Sequence, residues 1–377
     1  MRYFIVAGEA SGDLHGSNLI KSLIEEDKDA DIVCWGGDLM ESAGAKLLMH
    51  YRNTAFMGFI VILKNLGRVL HNISLCKKQV QEYKPDVLIL IDYPAFNMRI
   101  AKFAKLSGIK VFYYISPKFW AWREKRVMKV KKWVDRMFII FPFETEFYRK
   151  YDIPVEYRGN PLVDEIERKI ASLPGKNEII EKLQLGSKPL ITILPGSRKD
   201  EIISMLPQII KIISEFPGYQ FVIAGVRNIP EKLYTEIAGS APVKIVNDKT
   251  YELLKVSEAA IVKSGTSTLE TALFNIPQVV CYKGDFFSML IALILIKVKF
   301  VSLVNLIAGS EIVKELLGCK LNRKNLVREL SLIIEGGQKR QRMLSDYKIL
   351  MEKLGPSGAS GRIAGAMVEE MRCGGKG

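Results

Sequence analysis

Short apolar runs alternate with helical stretches along most of the chain. In the first half the runs lie at 3–7, 31–35, 87–91, 111–115 and 137–141, and several are apolar on consecutive positions. Strands covered on one face alternate, whereas strands covered on both faces do not. The pattern therefore predicts parallel strands inside an α/β sandwich. Between them, 14–26, 64–83 and 98–106 read as helices. Around 158–188 the rhythm breaks, where Gly159-Asn160-Pro161 and Leu173-Pro174-Gly175-Lys176 punctuate a charged helical connector. A second series then runs through 190–194, 220–223, 243–246, 259–262 and 278–282. From about Gly309 the chain reads as mainly helical and ends in a glycine-rich tail. The expected architecture is α/β, with two Rossmann-like domains facing across a cleft in which ligands bind.

Composition narrows the picture. A chain of 377 residues suits two such domains better than one core. Cys34, Cys76, Cys281, Cys319 and Cys373 are scattered, as are His15, His50 and His71, so neither a disulfide framework nor a metal site is indicated. The first residues form a strand that runs into a glycine-rich turn, too short for a secretory signal, which predicts a cytoplasmic protein. The longest apolar run, 286–296, falls short of the ~20 residues a membrane span needs. The formal charge of +14 calls for an anionic partner without choosing among nucleic acid, phosphorylated substrate and lipid surface.

Three turns carry candidate chemistry. Gly8-Glu9-Ala10-Ser11-Gly12-Asp13 follows the first strand, but it matches neither G-x-G-x-x-G nor a Walker loop. It is either a ligand-facing turn or a tight connection with Asp13 as a helix cap. Pro195-Gly196-Ser197-Arg198 opens a helix whose free N–H groups, joined by a guanidinium, suit a phosphate. The alternative has Ser197 as cap and Arg198 paired with Glu201. Ser264-Gly265-Thr266 opens a third helix, in which Glu270 either completes a capping box or accepts the two hydroxyls of a ribose. Two phosphate-suited helix starts in one domain point to a nucleoside diphosphate.

Asp92 directly follows the apolar strand 87–91 and precedes Tyr93-Pro94. A carboxylate there either organises the turn or, raised in pKa by partial burial, acts as a base in the crevice. From Lys118 to Arg136 eight Lys or Arg residues interleave with Phe119, Trp120, Trp122 and Trp133. That stretch fits a nucleic-acid surface, a lipid-phosphate surface, or a solvated helix with its rings in the core. Phe56, Met57, Phe59, Ile60, Ile62 and Leu63, followed by Lys64 and Arg68, suit either an interfacial helix or a buried one.

Taken in order, several segments resemble the lipid-A-disaccharide synthases, family-19 glycosyltransferases with the GT-B fold. They are Ala7-Gly8-Glu9-Ala10-Ser11-Gly12-Asp13, Lys84-Pro85-Asp86-Val87 with Ile91-Asp92-Tyr93-Pro94-Ala95-Phe96-Asn97, and Ser116-Pro117 with Trp120-Ala121-Trp122-Arg123. Phe141-Pro142-Phe143-Glu144, Leu194-Pro195-Gly196-Ser197-Arg198, Ser264-Gly265-Thr266 with Leu269-Glu270, and Val301-Ser302-Leu303-Val304-Asn305 continue the series. The resemblance implies transfer of an acylated glucosamine from UDP-2,3-diacylglucosamine to 2,3-diacylglucosamine 1-phosphate, giving a β(1→6) disaccharide and UDP without cofactor or metal. It implies that Asp92 is the base, with Glu9 and Asp13 as further catalytic candidates and Ser11 and Gly12 beside the substrates. It puts Arg198, Asn305, Ser264, Gly265, Thr266 and Glu270 on the UDP side.

The implied domains are 1–159 for the acceptor lipid and 160–355 for the UDP-sugar, with a helix at about 356–377 a candidate to pack back on the first. Under the same resemblance the apolar patch 56–63 meets acyl chains, and the enzyme sits peripherally on the cytoplasmic face of the inner membrane. A homodimer is a candidate assembly and no nucleic acid is involved. Where many relatives carry a second acid this chain has Ala95, and Tyr93 sets a bulky ring beside Asp92. The rivals are another UDP-sugar enzyme, either a peptidoglycan-type N-acetylglucosaminyltransferase or an epimerase, and a non-catalytic RNA-binding protein.

Overall fold

The computed structural model describes residues 1–54, 66–122, 126–283 and 299–374. The acyl-contact candidates Phe56, Met57, Phe59, Ile60, Ile62 and Leu63 lie outside these, as do Arg123 and the apolar run 286–296. The chain divides into two compact units, Met1–Pro161 with Ser357–Gly377, and Leu162–Pro356.

The first unit is built on a seven-stranded sheet in the order β3-β2-β1-β4-β5-β6-β7. Its strands are β1 (Arg2–Ala7), β2 (Asp31–Gly36), β3 (Lys46–His50), β4 (Val87–Ile91), β5 (Lys110–Tyr114), β6 (Arg136–Ile139) and β7 (Val155–Tyr157), all paired in parallel. Every residue of β4 is buried, which explains its unbroken apolar sequence: helices cover both faces. The strand order reverses direction between β1 and β4, and the carboxyl ends of such a pair leave a crevice uncovered by connections. Because Ala7 pairs with Ile91, the residues that follow, Gly8 and Asp92, emerge side by side at that crevice.

The C-terminal helix Ala359–Gly374 packs on helix Ala10–Glu26 of the same unit. Glu370 on that helix receives Lys110 at 3.0 Å and Arg136 at 2.6 Å, from β5 and β6. Gly365 faces Glu26 across this packing.

The second unit carries a six-stranded parallel sheet in the order β10-β9-β8-β11-β12-β13. Its strands are β8 (Leu190–Leu194), β9 (Gln220–Gly225), β10 (Val243–Asn247), β11 (Ser257–Lys263), β12 (Gln278–Tyr282) and β13 (Lys314–Leu317). Here the reversal lies between β8 and β11, where Leu194 pairs with Val262. The loops beginning at Pro195 and Ser264 therefore leave the sheet together, at the position where open α/β sheets bind ligands. No helix among the described residues is long and apolar enough to cross a membrane.

Candidate active site

In the first unit Asp92 sits half-buried beyond β4 with φ 41°, and Tyr93 follows at φ 47°. Ile115, beyond the neighbouring β5, has φ 63°. Left-handed backbone costs an L-residue free energy, most for a bulky or β-branched one, and persists only when its surroundings impose it. Those surroundings are identifiable. The Asp92 amide donates to Tyr114 O at 3.1 Å, while its carbonyl accepts from the Tyr113 hydroxyl and from Asn97 Nδ2, the latter at 2.8 Å. Pro94 then starts helix Pro94–Leu106, where a missing N–H costs nothing.

The backbone of Asp92 is thus fully engaged by protein. Burial pushes its carboxyl up to about 6; the Lys118 ammonium works against that rise, and the Glu9 carboxylate adds to it. The Tyr93 ring stacks on Phe96, and its hydroxyl donates to Thr54 O at 2.9 Å. It lies so close over Gly8 that a Cβ there would stand 2.3 Å from ring carbons. Glycine is required at that turn because the ring cannot withdraw.

Lys118 owes its place to a residue without an assigned role in the sequence reading. Glu144, buried, accepts from the Ser116 hydroxyl, from Trp120 Nε1 at 3.1 Å and from the Phe141 amide at 3.1 Å. Its carboxyl is pushed up to about 7 by burial, against these hydrogen bonds. Ser116 and Trp120 bracket Lys118, so Glu144 fixes the loop that carries the cation. The only sequence signal was the position of Glu144 at the end of Phe141-Pro142-Phe143-Glu144. Three rings of the basic stretch turn toward the protein: Phe119 is buried, Trp120 meets Phe143 edge-on at 5.0 Å, and Trp133 packs against the core beneath Lys102 and Lys132.

Asp13 is corrected. Its carboxylate is buried and accepts from the amides of Gly37 at 2.8 Å, Met40 at 3.0 Å and Leu39 at 3.2 Å. It caps the turn after β2, not its own helix. Glu9 is half-buried, and Ser11 is exposed in the first turn of helix Ala10–Glu26, where no side chain caps the amides. Gly12 is a packing glycine, since a Cβ there would lie 3.1 Å from that of Ala7.

In the second unit Gly196 takes φ +104°, and a Cβ there would meet the Glu201 carboxylate at 2.6 Å. Glu201 pairs with Lys263, from the end of β11, at 2.7 Å. It is therefore not the partner of Arg198, nor does Ser197 cap helix Lys199–Ile210. Arg198 stands exposed at the N-cap, with no ion-pair partner among the described residues. An uncapped helix start beside an unpaired guanidinium is an anion site by dipole and by charge.

At the neighbouring loop Ser264 is buried: its amide donates to Cys281 O and its hydroxyl to Val301 O at 3.2 Å. A Cβ at Gly265 would meet nothing within 4 Å, and Thr266 is exposed. Helix Thr266–Leu273 starts without a side-chain cap, so the capping box is not formed. Burial, reinforced by the nearby Glu165 carboxylate, pushes the Glu270 carboxyl up to about 7.

Asn305 likewise has a role in the fold. It is fully buried; Oδ1 accepts from the amides of Ile312 and Val313, and Nδ2 donates to Val313 O and to Glu315. Glu315 in turn accepts from the amides of Val301 and Ser302, the former being the residue that Ser264 contacts. The Asn305 side-chain amide is hydrogen-bonded by protein on both atoms and, through Glu315, braces the segment at Val301 that Ser264 contacts. Asn305→Ala should cost about 2–3 kcal/mol of stability by orphaning buried groups, read in a denaturant melt, with nucleotide affinity of the folded protein retained. Weakened nucleotide binding at unchanged stability would return Asn305 to the ligand.

The chain is similar to known proteins over nearly its whole length. The family model for lipid-A-disaccharide synthetase matches residues 3–362. The lipid-A-disaccharide synthase of Geobacter metallireducens is 35% identical over 375 residues, covering 98% of this chain and 97% of that one. The Syntrophus aciditrophicus protein of the same name is 36% identical, covering 96% and 95%. Among solved structures, the UDP-GlcNAc 2-epimerase of Neisseria meningitidis bound to UDP-GlcNAc superposes with a TM-score of 0.69 at 14% identity, over 98% of this chain and all of that one. That last likeness speaks for the fold alone. With a match in sequence running from β1 into the C-terminal helix, the chain belongs to the lipid-A-disaccharide synthase family of glycosyltransferases.

Proposed function

We propose that the chain joins UDP-2,3-diacylglucosamine to the 6-hydroxyl of 2,3-diacylglucosamine 1-phosphate with inversion at the anomeric carbon. The observation that carries the reading is Asp92, a half-buried carboxyl at a topological switch point, held by an over-determined backbone and titrating near neutrality. In this reaction the acceptor oxygen bonds to the donor's C1 as its proton passes to the Asp92 carboxylate. The C1–O bond to UDP breaks and its electron pair leaves on the β-phosphate. Arg198 and the uncapped start of helix Lys199–Ile210 are suited to the charge that builds there, and Glu270 to the ribose hydroxyls. Lys118 and Glu9 set the proton affinity of Asp92 from opposite sides.

Acylated substrates and a net charge of +14 favour a peripheral position on the cytoplasmic face of the inner membrane. The test is to incubate the protein with both lipids and follow products by mass spectrometry. The expected products are the tetraacyl disaccharide 1-phosphate and stoichiometric UDP. Equal turnover or epimerisation of unacylated UDP-N-acetylglucosamine would instead support the wider class of UDP-sugar enzymes.

A further inference from the structure

The nucleotide side carries an acid with no part in the reaction. Glu201 is the third residue of helix Lys199–Ile210, with Arg198 at the N-cap. From that position a glutamate ordinarily reaches back over the helix start, as in a capping box, and the spacing of three residues sets it beside Arg198. A carboxylate so placed would occupy both the uncapped amides and the guanidinium, the groups suited to a diphosphate. Glu201 is therefore a competitor for the anion site built into its own helix.

It is drawn elsewhere. Glu201 pairs with Lys263, whose ammonium stands 2.7 Å from Oε1. Lys263 closes β11 directly before Ser264, so the cation comes from the strand next to β8. The two side chains are only 20% and 19% exposed, and solvent screens such a pair less than one at the surface. Gly196 makes room for the arrangement, since a Cβ there would stand 2.6 Å from Glu201 Oε2 and 3.5 Å from Lys263 Cδ. The ammonium also lies 5.7 Å from the centre of the Tyr282 ring, at the end of β12. The helix has other ties that hold it in place. Ser204 Oγ donates to Lys283 O at 2.6 Å, and Asn228 Nδ2 donates to Ser197 O at 3.1 Å.

We propose that Lys263 is a positioning residue that holds Glu201 away from Arg198, and so keeps the guanidinium and the helix start open to the diphosphate of the nucleotide. The inference rests on the reading of Arg198 as the diphosphate ligand. Neutralising Glu201 matters as much as moving it, because an unpaired carboxylate in the first turn repels incoming phosphates. Loss of Lys263 therefore acts through Glu201, and removing the acid as well undoes it.

The test measures dissociation constants of UDP and uridine calorimetrically on full-length wild type, Lys263→Met, Glu201→Gln, the double variant and Arg198→Ala, each checked for folding by circular dichroism. Methionine keeps the apolar stem against Gly196 and removes the charge, while glutamine keeps the shape of Glu201. K263M should bind UDP about tenfold more weakly with uridine affinity unchanged, since only the diphosphate feels the freed carboxylate. E201Q should bind UDP no more weakly than wild type. Added to K263M, it should restore UDP affinity to within about twofold of wild type. Such rescue separates this role from a merely structural one, which a second substitution would worsen. If K263M binds UDP as tightly as wild type, or if the double variant stays as weak as K263M, Lys263 does not act by restraining Glu201 and the inference fails while the role of Arg198 stands. If R198A binds UDP normally, the diphosphate reading of Arg198 fails and takes the inference with it.

Discussion

Asp92→Asn is expected to lower kcat for disaccharide formation by about 10²–10⁴-fold, the usual contribution of a positioned general base, while UDP affinity stays at the wild-type value. The substitution isolates the charge. Asparagine tolerates the left-handed backbone at φ 41° nearly as well as aspartate, so the turn between β4 and helix Pro94–Leu106 is kept. UDP affinity should hold because Arg198, Ser264 and Glu270 belong to the other unit. Stability should move the other way from activity. The folded-state pKa of Asp92 lies above its unfolded value, so the stabilisation from holding a proton is complete below about pH 4 and lost as pH rises through about 6. At pH 8 the wild type therefore carries a half-buried charge that the amide removes. The variant should gain on the order of 1–2 kcal/mol there, after allowing for solvent screening, and little at pH 4. A variant that is inactive because it is unfolded would show the opposite trend.

Arg198→Ala should lower kcat/KM by about 10²–10³-fold, the scale seen when one preorganised donor to a developing anion is removed. The structure gives the reason for so large an effect at an exposed residue. Glu201, the acid the sequence offered as its partner, is taken by Lys263 at 2.7 Å, which leaves Arg198 without an ion-pair partner among the described residues. Arg198→Lys should recover only part of the loss, because an ammonium keeps the charge but not the planar donor fork. Measured UDP affinity should fall with kcat/KM in R198A, in contrast to D92N, which separates a group that binds the leaving phosphate from one that acts on the acceptor.

The central strands were legible because burial on both faces writes itself into consecutive residues, as in Val87-Leu88-Ile89-Leu90-Ile91. The strands the pattern does not show are β3, β7 and β13, which stand at sheet edges and are short and only partly buried. Pairing with a neighbour, not their own composition, makes them strands. The same division holds at the site. Asp92 and Arg198 were legible because each follows a strand that the sequence marks plainly. The sequence does not show that side-chain oxygens of Asp13 and Asn305 accept backbone amides from residues 37–40 and 312–313, a fact of three-dimensional packing.

The ratio of wild-type to Asp92→Asn kcat across pH 5 to 8, at saturating lipids, tests most directly whether Asp92 takes the acceptor's proton. Titrations of the lipid phosphate appear in both enzymes and cancel. The ratio should climb about tenfold between pH 5 and 7, following ionisation near 6, and then level off. A ratio that stays constant with pH would mean that some other group takes the proton.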